Sequence, residues 1–96
     1  MAVSRLSFKV AGMVQGVGFR YFLRDTAERL GISGWTANSS DGSLEGEAEG
    51  ETLRMENFLK ALASGPAGAV VKKVSTSPLS PSEKRAESFE IKMRQG

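Results

Sequence analysis

The sequence predicts an α+β sandwich in which two helices pack on one face of a largely antiparallel sheet. Three observations lead there. Apolar and polar residues alternate near both ends of the chain, the period of half-buried strands. Two stretches between those ends carry apolar residues at helical spacing. The two helical stretches are themselves separated by two strand-like runs joined at Asp41-Gly42, a dipeptide that favours tight hairpins.

In chain order, Leu6, Phe8 and Val10 alternate with Arg5, Ser7 and Lys9, which gives the first strand. Gly12 to Gly18 holds three glycines in seven residues and reads as a loop. Phe19, Phe22, Leu23, Thr26, Ala27 and Leu30 then follow the i, i+3, i+4, i+7 rule, with Arg24, Asp25, Glu28 and Arg29 on the opposite face and Gly31 placed to stop the helix. Residues 32–39 and 43–49 form the hairpin. In its second run Leu44, Gly46 and Ala48 face inward and let a helix approach closely, while Glu45, Glu47 and Glu49 are expected to be solvated. Met55, Phe58, Leu59 and Leu62 define a second helix over about 51–64, with Glu51 near its positive end and Gly65-Pro66 ending it. Val70, Val71 and Val74 mark a fourth strand, and Pro78 to Arg85 reads as a loop. Phe89, Ile91 and Met93 alternate with Glu90, Lys92 and Arg94 in a last strand. The order β-α-β-β-α-β-β matches the ferredoxin-like split β-α-β pattern.

The 96 residues, 40% hydrophobic and 25% charged, are expected to make a single domain spanning 1–96. The absence of histidine and cysteine excludes more chemistry than any other feature. It removes Ser-His-Asp triads, cysteine nucleophiles, histidine acid–base pairs, disulfides and nitrogen- or sulfur-ligated zinc sites. Thirteen basic and eleven acidic residues leave a net charge of +2, too little to argue for nucleic-acid binding and slightly favourable to small anions. No apolar run approaches a membrane span, and the alternating MAVSRLSFKV start lacks an apolar signal segment, so a cytoplasmic location and no membrane partner are expected. Nothing in the sequence points beyond a monomer.

The segment Gly12-Met13-Val14-Gln15-Gly16-Val17-Gly18-Phe19-Arg20 runs from a strand into a helix. Its glycines let backbone N–H groups approach a ligand, and the helix adds the positive end of its dipole. A tetrahedral phosphate suits such a site, and Arg20 offers two of its oxygens a planar fork. A charge-unfavourable arginine in a first turn makes better sense with an anion beside it. Taken alone, such a loop is more often a plain strand-to-helix connection, and an arginine in a first turn more often a solvated charge. Two motifs are excluded: position 21 is Tyr, so Gly16-Val17-Gly18 does not extend to a dinucleotide fingerprint, and no Gly-Lys-Ser/Thr follows. Gly16 to Phe22 also echoes an RNA-recognition string, but helical spacing turns Phe19 and Phe22 toward the core, so no nucleic-acid partner is expected.

Gly12 to Phe22 closely resembles the first signature of the acylphosphatases, small ferredoxin-like hydrolases of carboxyl-phosphate bonds. Gly34-Trp35-Thr36-Ala37-Asn38 with Asp41-Gly42-Ser43-Leu44-Glu45 resembles the second, at fitting spacing, with Thr36 where the family often has valine. The likeness continues through Glu49-Gly50, Gly65-Pro66 and Ser88-Phe89-Glu90-Ile91. It implies a phosphate cradle at the backbone of Gln15, Gly16, Val17, Gly18, Phe19 and Arg20, with Arg20 and Asn38 as catalytic residues. It further implies no metal, no cofactor and no covalent phosphoenzyme, and a sheet order of 4-1-3-2 with the last strand at an edge. The implied partners are a small acyl-phosphate substrate and the inorganic phosphate product.

The residue inventory suits that chemistry. The leaving carboxylate is stable as an anion, and a loose phosphoryl-transfer transition state barely deprotonates the attacking water. Holding the phosphoryl group, neutralising its oxygens and aiming a water then suffice. Asn38, with one acceptor and two donors, can aim a water, although an asparagine near a turn is also a natural local cap. Asp41 and Glu45 are better assigned to the hairpin and the solvated strand face than to a metal. Tyr21 and Trp35 read as packing residues, and Lys72-Lys73 and Lys84-Arg85 as solvated charges. A non-catalytic module that retains the anion cradle as a sensor or interaction domain is the competing reading; it would have no need of Asn38.

Overall fold

The alternating and helical patterns become seven elements in the computed structural model, which describes residues 2–93. These are β1 (Val3–Met13), α1 (Phe19–Leu30), β2 (Ser33–Asn38), β3 (Leu44–Glu51), α2 (Thr52–Ser64), β4 (Val70–Leu79) and β5 (Phe89–Ile91). The sheet order is β4-β1-β3-β2-β5, as the resemblance implies, with β5 at an edge. The β1–β3, β1–β4 and β2–β3 pairs are antiparallel, and β5 runs parallel to β2.

Register follows the hydrophobic pattern. Leu6 pairs with Ala48, Phe8 with Gly46 and Val10 with Leu44, so the apolar set of both central strands faces one side. The helices cover that side. Leu23 and Ala27 of α1 and Met55, Phe58 and Leu62 of α2 are buried against it. Phe58 is the hub, meeting Phe8 edge-on at 5.8 Å and Phe89 of β5 at 5.7 Å. This approach needs the small residue at 46: a Cβ there would stand 2.6 Å from Phe8 Cζ and 2.1 Å from the Trp35 carbonyl oxygen. Gly31 closes α1 in the left-handed conformation, its N–H bonding to Ala27 O and Glu28 O.

Five expectations need correction. β1 runs on through Gly12 and Met13, which pair with Val71 and Val70 of β4, so the glycine loop begins at Val14 and not at Gly12. β4 continues through Pro78 and Leu79, which pair with Leu6 and Arg5, so the loop starts later than its prolines suggest. An edge strand tolerates a residue without an N–H. Glu49 is not solvated: it is 5% exposed, and its Oε2 accepts the Ser82 N–H at 2.8 Å. The segment after β4 folds across that end of the outer sheet face and supplies the donor that a buried carboxylate requires. Arg85 belongs to the same cover, donating to Ser33 Oγ at 3.0 Å and to the Gly31 carbonyl, and so is not a freely solvated charge. Finally, β5 ends at Ile91; the Lys92 N–H still bonds to Thr36 O at 2.9 Å, but Met93 is 87% exposed, and Arg94 lies outside the described residues.

Candidate active site

The glycine loop is strung between two buried anchors. Val14 and Phe19 are each 1% exposed, one at the end of β1 and the other opening α1. Phe19 packs against the turn that follows α2, where a Cβ on Gly65 would come within 2.7 Å of its ring. The four residues between the anchors are thereby held at both ends. Gly16 and Gly18 adopt left-handed backbone, with φ of 76° and 78°. Any other L-residue would pay roughly 1–2 kcal/mol there. Left-handed residues alternating with right-handed ones are the backbone pattern of anion-binding nests, in which successive N–H groups converge.

The donors of this nest are uncommitted. Among the described residues, the N–H groups of Gln15, Gly16, Val17 and Gly18 find no acceptor. Phe19 and Arg20 open α1, where N–H groups have no partner within the helix. Gly18 is the N-cap and offers no side chain to satisfy them. No acidic residue stands in the first turn to answer the helix dipole. Six consecutive amides, four in the loop and two opening the helix, are thus without an acceptor among the described residues. Arg20 lies in that first turn, half-buried, and makes no ion pair among the described residues.

Asn38 ends β2, on the neighbouring hairpin. Its Oδ1 is buried and has no hydrogen-bond partner among the described residues. Buried side-chain acceptors are nearly always hydrogen-bonded in folded proteins, so this oxygen stands out among the described residues. The hairpin reaches the cradle through Gln15. Its Nε2 donates to Ser39 O at 2.8 Å and to Ser43 O at 3.0 Å, one residue beyond Asn38 and across the turn from it. This contact ties the glycine loop to the residue that follows Asn38. The sequence points only to the backbone of Gln15; a lone glutamine in a glycine loop carries no pattern that identifies its side chain's partner.

The family follows from comparison with known proteins. A family model described as Acylphosphatase matches residues 6–91. An acylphosphatase of Thermotoga maritima is 45% identical over 87 residues, covering 91% of this chain and 94% of that protein. The chain belongs to the acylphosphatase family. Solved acylphosphatase structures superpose on it closely: the Coxiella burnetii protein has a TM-score of 0.87 at 31% identity, covering 94% of this chain and 93% of that one. The Bacillus subtilis protein has a TM-score of 0.86 at 32% identity, covering 94% and 98%. The activity of the chain is accordingly that of an acyl-phosphate hydrolase.

The remaining residues singled out in the sequence take definite places. Asp41 serves the hairpin: its Oδ1 accepts the Ser43 N–H at 3.0 Å and the Ser43 hydroxyl at 2.6 Å, and its Oδ2 accepts Lys9 Nζ at 2.7 Å. These contacts hold the Asp41 carboxyl well below the usual carboxylate range, the Lys9 hydrogen bond first, and hold Lys9 above its ordinary value. Thr36 is fully buried, and its hydroxyl donates to Glu45 O at 3.1 Å, which satisfies the polar atom that valine would lack. Tyr21 is not a packing residue: it is 55% exposed, with the Arg24 guanidinium 5.1 Å above its ring. Trp35 lies half-buried on the outer sheet face beneath Lys92 Nζ, 4.8 Å from the ring centre.

Proposed function

We propose that hydrolysis proceeds by direct attack of one water on phosphorus, with the phosphoryl group seated on the amides of Gln15 to Arg20. The uncommitted N–H groups flanked by two left-handed glycines are the observation that carries this reading. Arg20 neutralises phosphoryl oxygens, and Asn38 orients the water. A bond forms from the water oxygen to phosphorus as the bond from phosphorus to the acyl oxygen breaks. The electron pair leaves with the carboxylate. One water proton stays on the new phosphate hydroxyl, and the other passes to a phosphoryl oxygen, so no histidine is needed. The chain has none.

Oriented donors in place before the reaction account for the rate. Removing a single oxyanion donor from such a site typically costs about 10²–10³ in kcat. The resting conformation supplies preorganisation through the Val14 and Phe19 anchors and the Gln15 clamp. Recognition directed at the phosphoryl group leaves the acyl tail loosely specified, so several small acyl phosphates serve as substrates. In this reading residues 1–96 form one domain that works as a monomer in the cytoplasm, without metal, cofactor, nucleic acid or membrane. No helix among the described residues is long and apolar enough to cross a membrane.

The test is phosphate release from acetyl phosphate and benzoyl phosphate with EDTA present, against a simple phosphomonoester. Turnover of both anhydrides but not the ester is the expected result. Loss of turnover in EDTA, or equal turnover of the ester, would refute the mechanism.

A further inference from the structure

The hairpin that carries Asn38 ends in a tight turn, and that turn is held from outside the site. Asp41 sits at its exposed tip. One carboxylate oxygen takes both donors of Ser43, and the other takes the ammonium of Lys9 on β1. Ser43 passes the constraint on in two directions. Its carbonyl accepts the Ser39 N–H at 2.8 Å, next to Asn38, and accepts Gln15 Nε2 at 3.0 Å from the cradle. A continuous set of hydrogen bonds therefore runs from Lys9 through Asp41 and Ser43 to both halves of the site.

We infer that Asp41 is a positioning residue for the reaction: by fixing Ser43 it sets where Asn38 stands relative to the cradle. The inference rests on the reading of Asn38 as the group that orients the water. The Asn38 Oδ1 is buried with no hydrogen-bond partner among the described residues, so no such bond fixes the carboxamide oxygen. Its place depends on packing and on the backbone, and the backbone that follows it is the turn closed by Asp41. Hairpin pairing continues that control, because Asn38 sits opposite Leu44, the neighbour of Ser43. The cradle has its own anchors in Val14 and Phe19. When the Ser43 end loosens, the cradle keeps those anchors and the Gln15 bond to Ser39 O, so the aim of the water is disturbed more than the grip on phosphate. The ion pair is exposed, with side chains 51% and 52% accessible, so the Asp41–Ser43 bonds carry most of the effect and Lys9 orients the carboxylate.

The experiment is a double-mutant cycle on the full chain, with kcat on benzoyl phosphate and the inhibition constant of inorganic phosphate as readouts. Asp41→Ala should lower kcat about tenfold, on the scale of a small misplacement of a reacting group, with phosphate inhibition within about twofold. Asp41→Asn, which keeps an acceptor for Ser43, should restore most of that loss. In an Asn38→Ala background, Asp41→Ala should cost nothing further, because the group it positions is gone. Circular dichroism confirms folding, and if the alanine variant is unfolded the same cycle is run with Asp41→Ser. A damaged Asn38→Ala beside additive losses, or an Asp41 variant of unchanged kcat, overturns the role of Asp41 alone. Near-normal kcat in Asn38→Ala overturns the reading of Asn38 and this inference with it. Lost phosphate inhibition in Asp41→Ala would make Asp41 a support of the cradle, which also overturns the inference.

Discussion

Replacing Gln15 with leucine keeps the side chain's bulk and removes both bonds of the clamp between cradle and hairpin. Its Nε2 lies 2.8 Å from Ser39 O and 3.0 Å from Ser43 O. Neither carbonyl would be orphaned, because Ser39 O also accepts the Gly42 N–H at 3.2 Å and Ser43 O also accepts the Ser39 N–H at 2.8 Å. The loss is then that of two ordinary hydrogen bonds, at about 0.5–1.5 kcal/mol each, or about 1–3 kcal/mol of stability. With an m-value of about 1–3 kcal/mol/M in urea, the midpoint should fall by about 1 M and m should not change. The clamp also holds the cradle shut against the hairpin, so the inhibition constant of phosphate should rise by up to about tenfold for each 1.4 kcal/mol of that loss felt in the bound state. Urea unfolding followed by Trp35 fluorescence gives the first quantity, and competition kinetics gives the second. An unchanged midpoint together with unchanged phosphate inhibition would refute the clamp.

Three further outcomes follow from the same geometry. Arg20→Ala should lower kcat/KM by roughly 10²-fold or more while remaining folded by circular dichroism; near-normal turnover would remove Arg20 from the site. Asn38→Ala should reduce kcat far more than phosphate affinity, and a collapse of phosphate inhibition would make Asn38 an anchor instead. Activity should vary little between about pH 5 and 8, because no histidine titrates there, and a steep bell near 6.5 would contradict the mechanism. The Lys9–Asp41 pair should behave likewise. The depressed Asp41 carboxyl contributes stability in full above the ordinary carboxylate range and loses it progressively as pH falls from that range toward the lowered folded-state value. The raised Lys9 contributes in full below the ordinary lysine range and loses its part progressively as pH rises from that range toward the raised folded-state value. The stability difference between wild type and Lys9→Met should therefore match at about pH 5.5 and pH 7 and shrink below about pH 4; its disappearance at about pH 5.5 would contradict the Asp41 contacts.

The sequence makes the elements legible where one physical signal dominates. Leu6, Phe8 and Val10 alternate because one sheet face is buried, and α1 reads clearly because a single stripe faces the core. Gly31, Asp41-Gly42 and Gly65 mark ends and turns through local backbone chemistry that needs no tertiary information. Arg20 is marked by its place in the first turn after the glycine loop, where a lone cation is unfavourable without an anion beside it, whereas Asn38 is legible only through its motif. Errors arise where a distant segment changes the environment. Glu49 has the pattern of a solvated strand face until the segment carrying Ser82 covers it. Pro78 reads as a loop former until its strand proves to be an edge. Tyr21 has an aromatic's packing tendency, but its place on α1 points it to solvent under Arg24. The Gln15 clamp depends on contacts 24 and 28 residues away, which no local window contains.

In the proposed mechanism water attacks phosphorus while the cradle and Arg20 hold the phosphoryl group. Hydrolysis of benzoyl phosphate in ¹⁸O-labelled water, with mass analysis of both products, separates this from attack at the carbonyl carbon. Attack at phosphorus puts one labelled oxygen in the inorganic phosphate and none in benzoate. Label in benzoate would mean attack at the carbonyl carbon and would refute the mechanism.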